Sequence, residues 1–600
     1  MALLETIQQD DNLSKEQKAY LSELINSKKY GLVWEEKSEG VQEELRTHIP
    51  VLKEDANKRI LNNPSAPNHL IIEGDNYQAL TDLCYIYDGR VDVIYIDPPY
   101  NTGNKDFAYN DSFVDREDGF RHSMWLSFME KRLRLAKRLL SDKGVIFISI
   151  DDNEQAQLKL LCDEVFVNQN FCGNIIWRKK SGGGQTDAFF VTEHEYISVY
   201  QSTSNFKWTD PVMKLNPLDF KYEDAQGRYN LTKLEKWGSS AHKEDRPSMY
   251  FPIIDENGRD FYPTAPDGKA GRWRVGLERM DYLRENDLVI WKRGIPYEKN
   301  YYNSGKEKII KSRSILYDVA ENGDGANLLT EIFGKKDTFN NSKPVELIMN
   351  LIKHHGNKSA TILDFFAGSG TTLHATMQLN KEDGGKRKCI LVTNNENGIC
   401  ENVTYVRNKK VIEGYTTPKG LEVEGLKDNN LRYYQVELME RERSFACRNE
   451  LQQKGVDMLC IKEDIYAEQP TFGKLQAQND KLRYFAEGGR EMLVVLDYEW
   501  IGRIVGELKG METTKKIKVY VSCPKDYPFT EEFEEVAEKV ELIPFPAQFL
   551  NIYNKVAPKM REKSLDGHAE RELTEEEMEE TAEDYLPSET TGKEKEEAQW

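Results

Sequence analysis

The chain has 600 residues, too long for a single hydrophobic core, so several domains are expected. Hydrophobic residues make up 39% and charged residues 31%, the makeup of a globular protein, and a net charge of −20 excludes indiscriminate nucleic-acid binding. No apolar run approaches the ~20 residues that span a bilayer, so no membrane partner is expected.

The opening stretch, MALLETIQQDDNLSKEQ, has neither a basic start nor a cleavage pattern, so no signal peptide is expected. It reads as an amphipathic helix within a polar, helical N-terminal segment over 1–65. From 66 to 205 the pattern changes. HLIIEGD (69–75), VDVIYID (91–97) and KGVIFISIDD (143–152) are apolar strands. MWLSFMEKRLRLAKRLL (124–140) is a helix between the last two, with Lys131, Arg132, Arg134, Lys137 and Arg138 as a solvated basic face. Strand–helix alternation resumes over 336–425, at TILDFFAGSGTTLHAT (361–376) and KCILVTNNE (388–396). Such alternation predicts an α/β fold with a parallel sheet.

Between these halves, residues 206–335 read as an inserted domain, broken by Gly and Pro and without alternation. Basic and aromatic residues interleave at Trp177-Arg178-Lys179-Lys180, Arg272-Trp273-Arg274 and Trp291-Lys292-Arg293, sets that suit phosphate contacts plus stacking or base-edge readout, although a single Trp beside an Arg is more often core plus solvent. Residues 426–562 form a C-terminal α/β region with strands at MLVVLDY (492–498) and KIKVYVSC (516–523). The remainder, 563–600, is acidic. From Ala569 to Trp600 there are 13 acids and 3 bases, −10 of the −20, which predicts a disordered tail. The eight cysteines (84, 162, 172, 389, 400, 447, 460, 523) form no C-x-x-C and no zinc spacing. They read as reduced, buried thiols of a cytoplasmic protein, and no metal is expected.

Two short stretches carry chemistry. Asp97-Pro98-Pro99-Tyr100 places an acid, a stiff backbone and a ring at one strand end. LDFFAGSGTT (363–372) is a strand, an acid, then Phe366-x-Gly368-x-Gly370 and two threonines opening a helix. Its glycines permit a tight turn and close approach by a ligand, and the helix offers free N–H groups to an anion.

Together these motifs resemble the S-adenosylmethionine-dependent amino-methyltransferases of DNA, in the motif order of their β class. GDNYQAL (74–80), EHEYISVY (193–200), RPSMYFP (246–252) and SKPVELIMNLI (342–352) also look like blocks of that family. Length, the DPPYNTG wording and the C-terminal extension are most similar to the modification subunit of type III restriction–modification systems. The resemblance implies a Rossmann-like methyltransferase domain with an inserted target-recognition domain. It implies methyl transfer to adenine N6 of a base flipped from double-stranded DNA, a homodimer and a helicase–nuclease restriction partner. Asp97, Pro98, Pro99 and Tyr100 would be catalytic, as acceptors for the N6 amine and a stacking ring. Asp75, Lys343, Asp364, Phe366, Gly368, Gly370, Thr371, Thr372 and Glu396 would bind cofactor. Glu396 stands in because Thr393 occupies the place where the family often has a ribose-binding acid. An orphan or other defence-system methyltransferase, or a DNA-binding specificity subunit for a partner nuclease, are the alternatives.

Overall fold

In a computed structural model of the chain, the described residues are 34 and 39–545, apart from the short segments 104–105, 110–111, 116, 183–188, 215, 304–306, 442–444, 514 and 523–528. The expected N-terminal amphipathic helix, the acidic tail, Cys523 and the side chain of Cys447 lie outside the described residues.

The chain folds as two compact units, one formed by 1–207 with 314–600, the other by 208–313. The larger unit is built on a ten-stranded sheet. In chain order its strands are β1 (His48–Glu54), β2 (Asn68–Glu73), β3 (Val91–Ile96), β4 (Leu140–Ile150), β5 (Phe171–Arg178), β6 (His194–Gln201), β7 (Ile315–Leu316), β8 (Thr361–Asp364), β9 (Lys388–Thr393) and β10 (Asn430–Glu440). They lie in the order β1-β10-β2-β9-β8-β3-β4-β6-β5-β7. From β10 to β4 every neighbour is parallel. β1 and β6 run against their neighbours. The central strands are buried on both faces, which is why VDVIYI and HLIIE read as continuous β-branched and aliphatic runs. Helices α1 (Asn76–Ile86), α2 (Arg121–Leu139), α3 (Gln155–Phe166), α4 (Val345–Lys353), α5 (Thr371–Asp383) and α6 (Val406–Glu413) connect them.

Several expectations need correction. Residues 48–54, expected to be helical, form β1, an edge strand on which Pro50 costs little because an edge N–H has no ladder partner. Residues 430–440, grouped by sequence with the C-terminal region, form β10 and enter the main sheet between β1 and β2. The basic face of α2 is only partly solvated. Lys131 and Arg132 are buried on Glu39, with Arg132 Nη1 2.9 Å from a Glu39 carboxylate oxygen and its Nε donating to Asn76 Oδ1 at 2.5 Å. Among the cysteines, Cys84, Cys162, Cys389, Cys400 and Cys460 are buried, whereas Cys172 is exposed.

The C-terminal region forms a five-stranded sheet over 468–545, and Met458, Leu459, Val494 and Tyr520 are continuous with the core under the main sheet. Within the unit 208–313, strands over 222–233 and 289–301 make a four-stranded sheet, and Leu234, Ile253, Trp273, Met280 and Leu283 form its core. Trp273 there, and Trp177 of β5 in the larger unit, have fully buried rings, as the core reading of a Trp beside a base expects, and are not available for stacking. Trp237 of that unit is exposed, and with Lys233, Glu235, Lys236 and Arg274 it lines a cavity of about 320 Å³. No helix among the described residues is long and apolar enough to cross a membrane.

Candidate active site

β8 and β3 are adjacent and parallel, with Leu363 opposite Ile94, so the two sequence motifs leave the sheet side by side at its carboxyl edge. The chain proceeds from β8 to β9 on one side and from β3 to β4 on the other. A crevice at such a reversal is where open α/β sheets bind ligands.

At the end of β3, Pro98 and Pro99 cannot donate to a ladder and the strand stops. Trp125 of α2 donates its indole N–H to the Pro99 carbonyl at 2.7 Å. The Pro98 carbonyl accepts no hydrogen bond among the described residues. Tyr100 Oη lies 2.7 Å from Asp97 Oδ1 and 3.1 Å from Glu195 Oε2, and it accepts from Lys343 Nζ at 2.9 Å. Lys343 Nζ also sits 3.0 Å from Asp97 Oδ1 and 3.1 Å from Glu195 Oε2. Lys179 approaches the other Glu195 oxygen at 3.3 Å. The result is a knot of two carboxylates, two ammonium groups and one phenol. Burial pushes the Asp97 carboxyl above its ordinary range, Lys343 opposes this, and the Glu195 charge adds to it. Glu195 is buried too, yet Lys343 and Lys179 hold it below the ordinary range. Burial would lower Lys343, but Asp97 and Glu195 together raise it, so it stays a cation. Burial and the two carboxylates keep the Tyr100 phenol protonated.

Asn101 follows the motif in the left-handed region, φ 58°, and is buried. Its amide donates to Glu154 Oε1 at 2.6 Å, and His122 Nδ1 meets the same oxygen at 2.6 Å. Glu154 is fully buried, which pushes its carboxyl up to about 8. Asn101 and Trp125 thus fix the loop on both sides of Tyr100.

The glycine turn is fixed as firmly. Asp364 accepts from the Phe366 backbone N–H at 3.0 Å and from the Thr372 hydroxyl at 2.5 Å. Burial pushes the Asp364 carboxyl up to about 7 against those two donors. An acid raised in the folded state holds its proton there while the unfolded chain has lost it, so stability falls as pH rises between about 4 and about 7. Relative to Asp364→Asn, the wild type should lose stability across that window and level off above it; urea unfolding midpoints of both proteins from pH 5 to 8 would read this. Gly370 has φ 76°, and a Cβ there would stand 2.5 Å from Asn408 Nδ2 and 3.0 Å from Thr404 Cγ2. Its smallness thus serves packing against α6 and the turn before it, as well as the turn itself. Gly370→Ala should cost about 2–4 kcal/mol, strain and overpacking together, read by chemical denaturation.

The structure places Asp97, Pro98, Pro99, Tyr100 and Lys343 in one cluster, and Asp364, Phe366, Gly368, Gly370, Thr371 and Thr372 in the neighbouring one. Lys343, expected at the cofactor turn, reaches the carboxylate of Asp97. The Thr372 hydroxyl is committed to Asp364, and the Thr371 hydroxyl accepts from Arg407 at 2.7 Å. Asp75 caps α1 through the Tyr77 and Gln78 N–H groups, and Asn76 beside it donates to the Phe365 carbonyl at 3.1 Å. Glu396 is exposed on the turn after β9, and no hydrogen bond or ion pair joins it to the others among the described residues. Sequence reasoning missed Glu195, Glu154, Ser342, Ser369 and Arg407. Only Glu195 carried a signal, an acid facing inward from the apolar strand EHEYISVY.

Residues 91–406, more than half of the chain, match the family model of the N6/N4 type described as DNA methylase. The chain is 34% identical over 375 residues to the type III restriction-modification enzyme StyLTI Mod subunit of Salmonella typhimurium, covering 58% of this chain and 55% of that one. It is 32% identical over 429 residues to the EcoPI Mod subunit of Escherichia phage P1, covering 62% and 64%. To the type II methyltransferase M.KpnI of Klebsiella pneumoniae it is 37% identical over 339 residues, covering 54% and 79%. The chain thus spans about half to two thirds of the length of the two Mod subunits.

Proposed function

The chain belongs to the DNA methylase family of the N6/N4 type, and from that premise we propose that it transfers a methyl group from S-adenosylmethionine to adenine N6 in double-stranded DNA at specific sites. The observation that carries this reading is the emergence of the Asp97–Tyr100 motif and the glycine turn from adjacent parallel strands. The exocyclic amine of adenine is a weak nucleophile because its lone pair is delocalised into the ring. Acceptors on its two N–H bonds draw the nitrogen toward tetrahedral geometry. Asp97 Oδ1 is occupied by Tyr100 and Lys343, whereas Oδ2 has no partner among the described residues and takes one N–H. The Pro98 carbonyl takes the other, held in place by its proline neighbour and by Trp125. Tyr100 offers its ring to a base flipped from the duplex. The raised Asp97 carboxyl is suited to receive the proton that the methylated amine sheds.

The glycine-turn residues fit the cofactor by the chemistry of their groups: an aromatic ring at Phe366, a tight glycine backbone, and buried donors facing the first turn of α5. Bound there, S-adenosylmethionine supplies an electrophilic methyl group on a sulfonium, and no metal is called for. The unit 208–313 serves as the target-recognition domain, with its cationic cleft at Trp237 as a contact for the DNA backbone. Similarity to Mod subunits supports a cytoplasmic, homodimeric modification subunit that partners a helicase–nuclease in a type III-like system. Long-read methylation sequencing of DNA from a methylation-free host expressing the chain tests this. N6-methyladenine at one short asymmetric motif, on one strand, is the expected result. Methylcytosine, or no modified base from a folded protein, would overturn it.

A further inference from the structure

In the unit 208–313 the four strands lie in the order Tyr222–Asp224, Gly227–Lys233, Ile295–Tyr301, Val289–Lys292. All neighbours are antiparallel, so residues directly opposite share a face. Val289 and Trp291 lie on one face and pack on the core of Leu234, Trp273 and Met280. On the other face the register sets Tyr222, Tyr229 and Tyr301 in one row and Lys233, Tyr297 and Ile290 in another, with Leu231 and Lys299 between. Side-chain contacts join the rows into one surface. The Tyr229 ring stacks on Tyr222 with centres 5.6 Å apart and meets Tyr301 at 5.2 Å. Lys292 Nζ lies 3.8 Å from the centre of the Tyr222 ring, and Lys299 Nζ lies 5.3 Å from that of Tyr229. Asp224, the one acid among these strand residues on the face, accepts from the Tyr301 hydroxyl at 2.6 Å and from Lys299 at 2.9 Å. Lys233 stands 5.2 Å from the Trp237 ring, so the surface runs on into the cavity beside that residue. An antiparallel sheet with one core usually turns a polar face to solvent. This one carries rings and lysines on the side away from its core, and Tyr222 is exposed. An apolar surface left off the core marks an interaction site. Rings alternating with ammonium groups select a ligand with flat π-faces and negative charge. Paired bases in a duplex are stacked on one another and offer only their edges, so a platform of rings serves unpaired bases.

We propose that this face of the four-stranded sheet is a stacking platform for unpaired bases of single-stranded DNA, with Tyr222 and Tyr297 as the stacking rings and Lys233, Lys292 and Lys299 at the phosphates. The inference rests on the DNA methylase reading and adds a mode of contact distinct from the grip on duplex DNA. Extrusion of a target adenine leaves its partner base unpaired, so the substrate itself supplies such bases. Lys292, over the Tyr222 ring, gives way to a base and passes to its phosphate. Tyr229 is not a stacking ring: it is 7% exposed, packed between Tyr222 and Tyr301, and forms the floor. Asp224 holds Tyr301 and Lys299 in place.

Fluorescence anisotropy of the full chain tests this with two labelled probes, an oligothymidylate of about 20 nucleotides and a blunt duplex of the same length. The wild type should bind both. Tyr222→Ala and Tyr297→Ala should each weaken the oligothymidylate about five- to tenfold and the duplex less than about twofold. Tyr222→Phe keeps the ring and should bind as the wild type does. Equal losses on the two probes, or none on either, would overturn the platform and leave the methyltransferase reading intact. If an alanine variant does not fold, photocross-linking of a bromodeoxyuridine-substituted oligothymidylate to the wild type carries the test. Cross-links within 222–233 or 289–301 are expected; cross-links confined elsewhere would overturn the platform. A wild type that methylates duplex DNA but does not bind the single strand would overturn this inference alone. One that binds neither probe and methylates no DNA would overturn the methyltransferase reading, and this inference with it.

Discussion

Asp97→Ala is expected to lower methyl transfer by about a thousandfold while cofactor binding stays within a few-fold of wild type. The side chain offers the acceptor that localises the adenine amine lone pair, and water in its place is neither anionic nor fixed. The substitution leaves Glu195 opposite Lys343, so the buried ammonium keeps a partner and the fold is retained. Single-turnover transfer of a labelled methyl group to DNA measures the chemical step directly. A rate within tenfold of wild type would remove Asp97 from the mechanism. Asp97→Asn separates the charge from the shape: it keeps an acceptor oxygen but not the anion, and should fall between the two.

Lys343→Met should be damaging in two ways. It leaves Asp97 and Glu195 facing one another with Lys179 as the one cation still paired there among the described residues, and breaking a buried pair in this way costs about 3–5 kcal/mol. The two carboxylates would then hold one proton between them at neutral pH. Asp97 needs its charge for transfer, so the residual rate of the variant should rise with pH, its acid limb displaced upward from that of wild type. The double variant Lys343→Met with Glu195→Gln removes the like-charge repulsion and should recover part of the lost stability. Chemical denaturation of the four proteins in that cycle, with rate–pH profiles, measures both effects. Additive stability losses would mean that Lys343 and Glu195 do not interact as the geometry indicates.

Both predictions concern a cluster of which the sequence marked Asp97 and Lys343 but not Glu195. The motif Asp97–Tyr100 is legible because it is local: a strand that must end at two prolines, with an acid and a ring beside them. The glycine turn is legible for the same reason, since Gly368 and Gly370 carry positive φ that other residues resist. Lys343 was marked as a cofactor residue, and nothing in the string said that it faces a carboxylate. Glu154 carried no signal in the string; buried against Asn101, it holds the loop on which Tyr100 sits.

The sequence by itself determined the α/β alternation, the two strand ends that bear the chemistry and their order in the chain. These follow from hydrophobic period and from the backbone limits of proline and glycine, which act over a few residues. Tertiary structure alone decided that β1 and β10 complete the sheet, that Lys343 and Glu195 converge on Asp97, and that Arg407 lies buried behind the glycine turn with no carboxylate partner among the described residues. The physical reason is that a charge acquires its role from burial and from distances of a few ångströms through space. Neither is encoded in the spacing of residues along the chain.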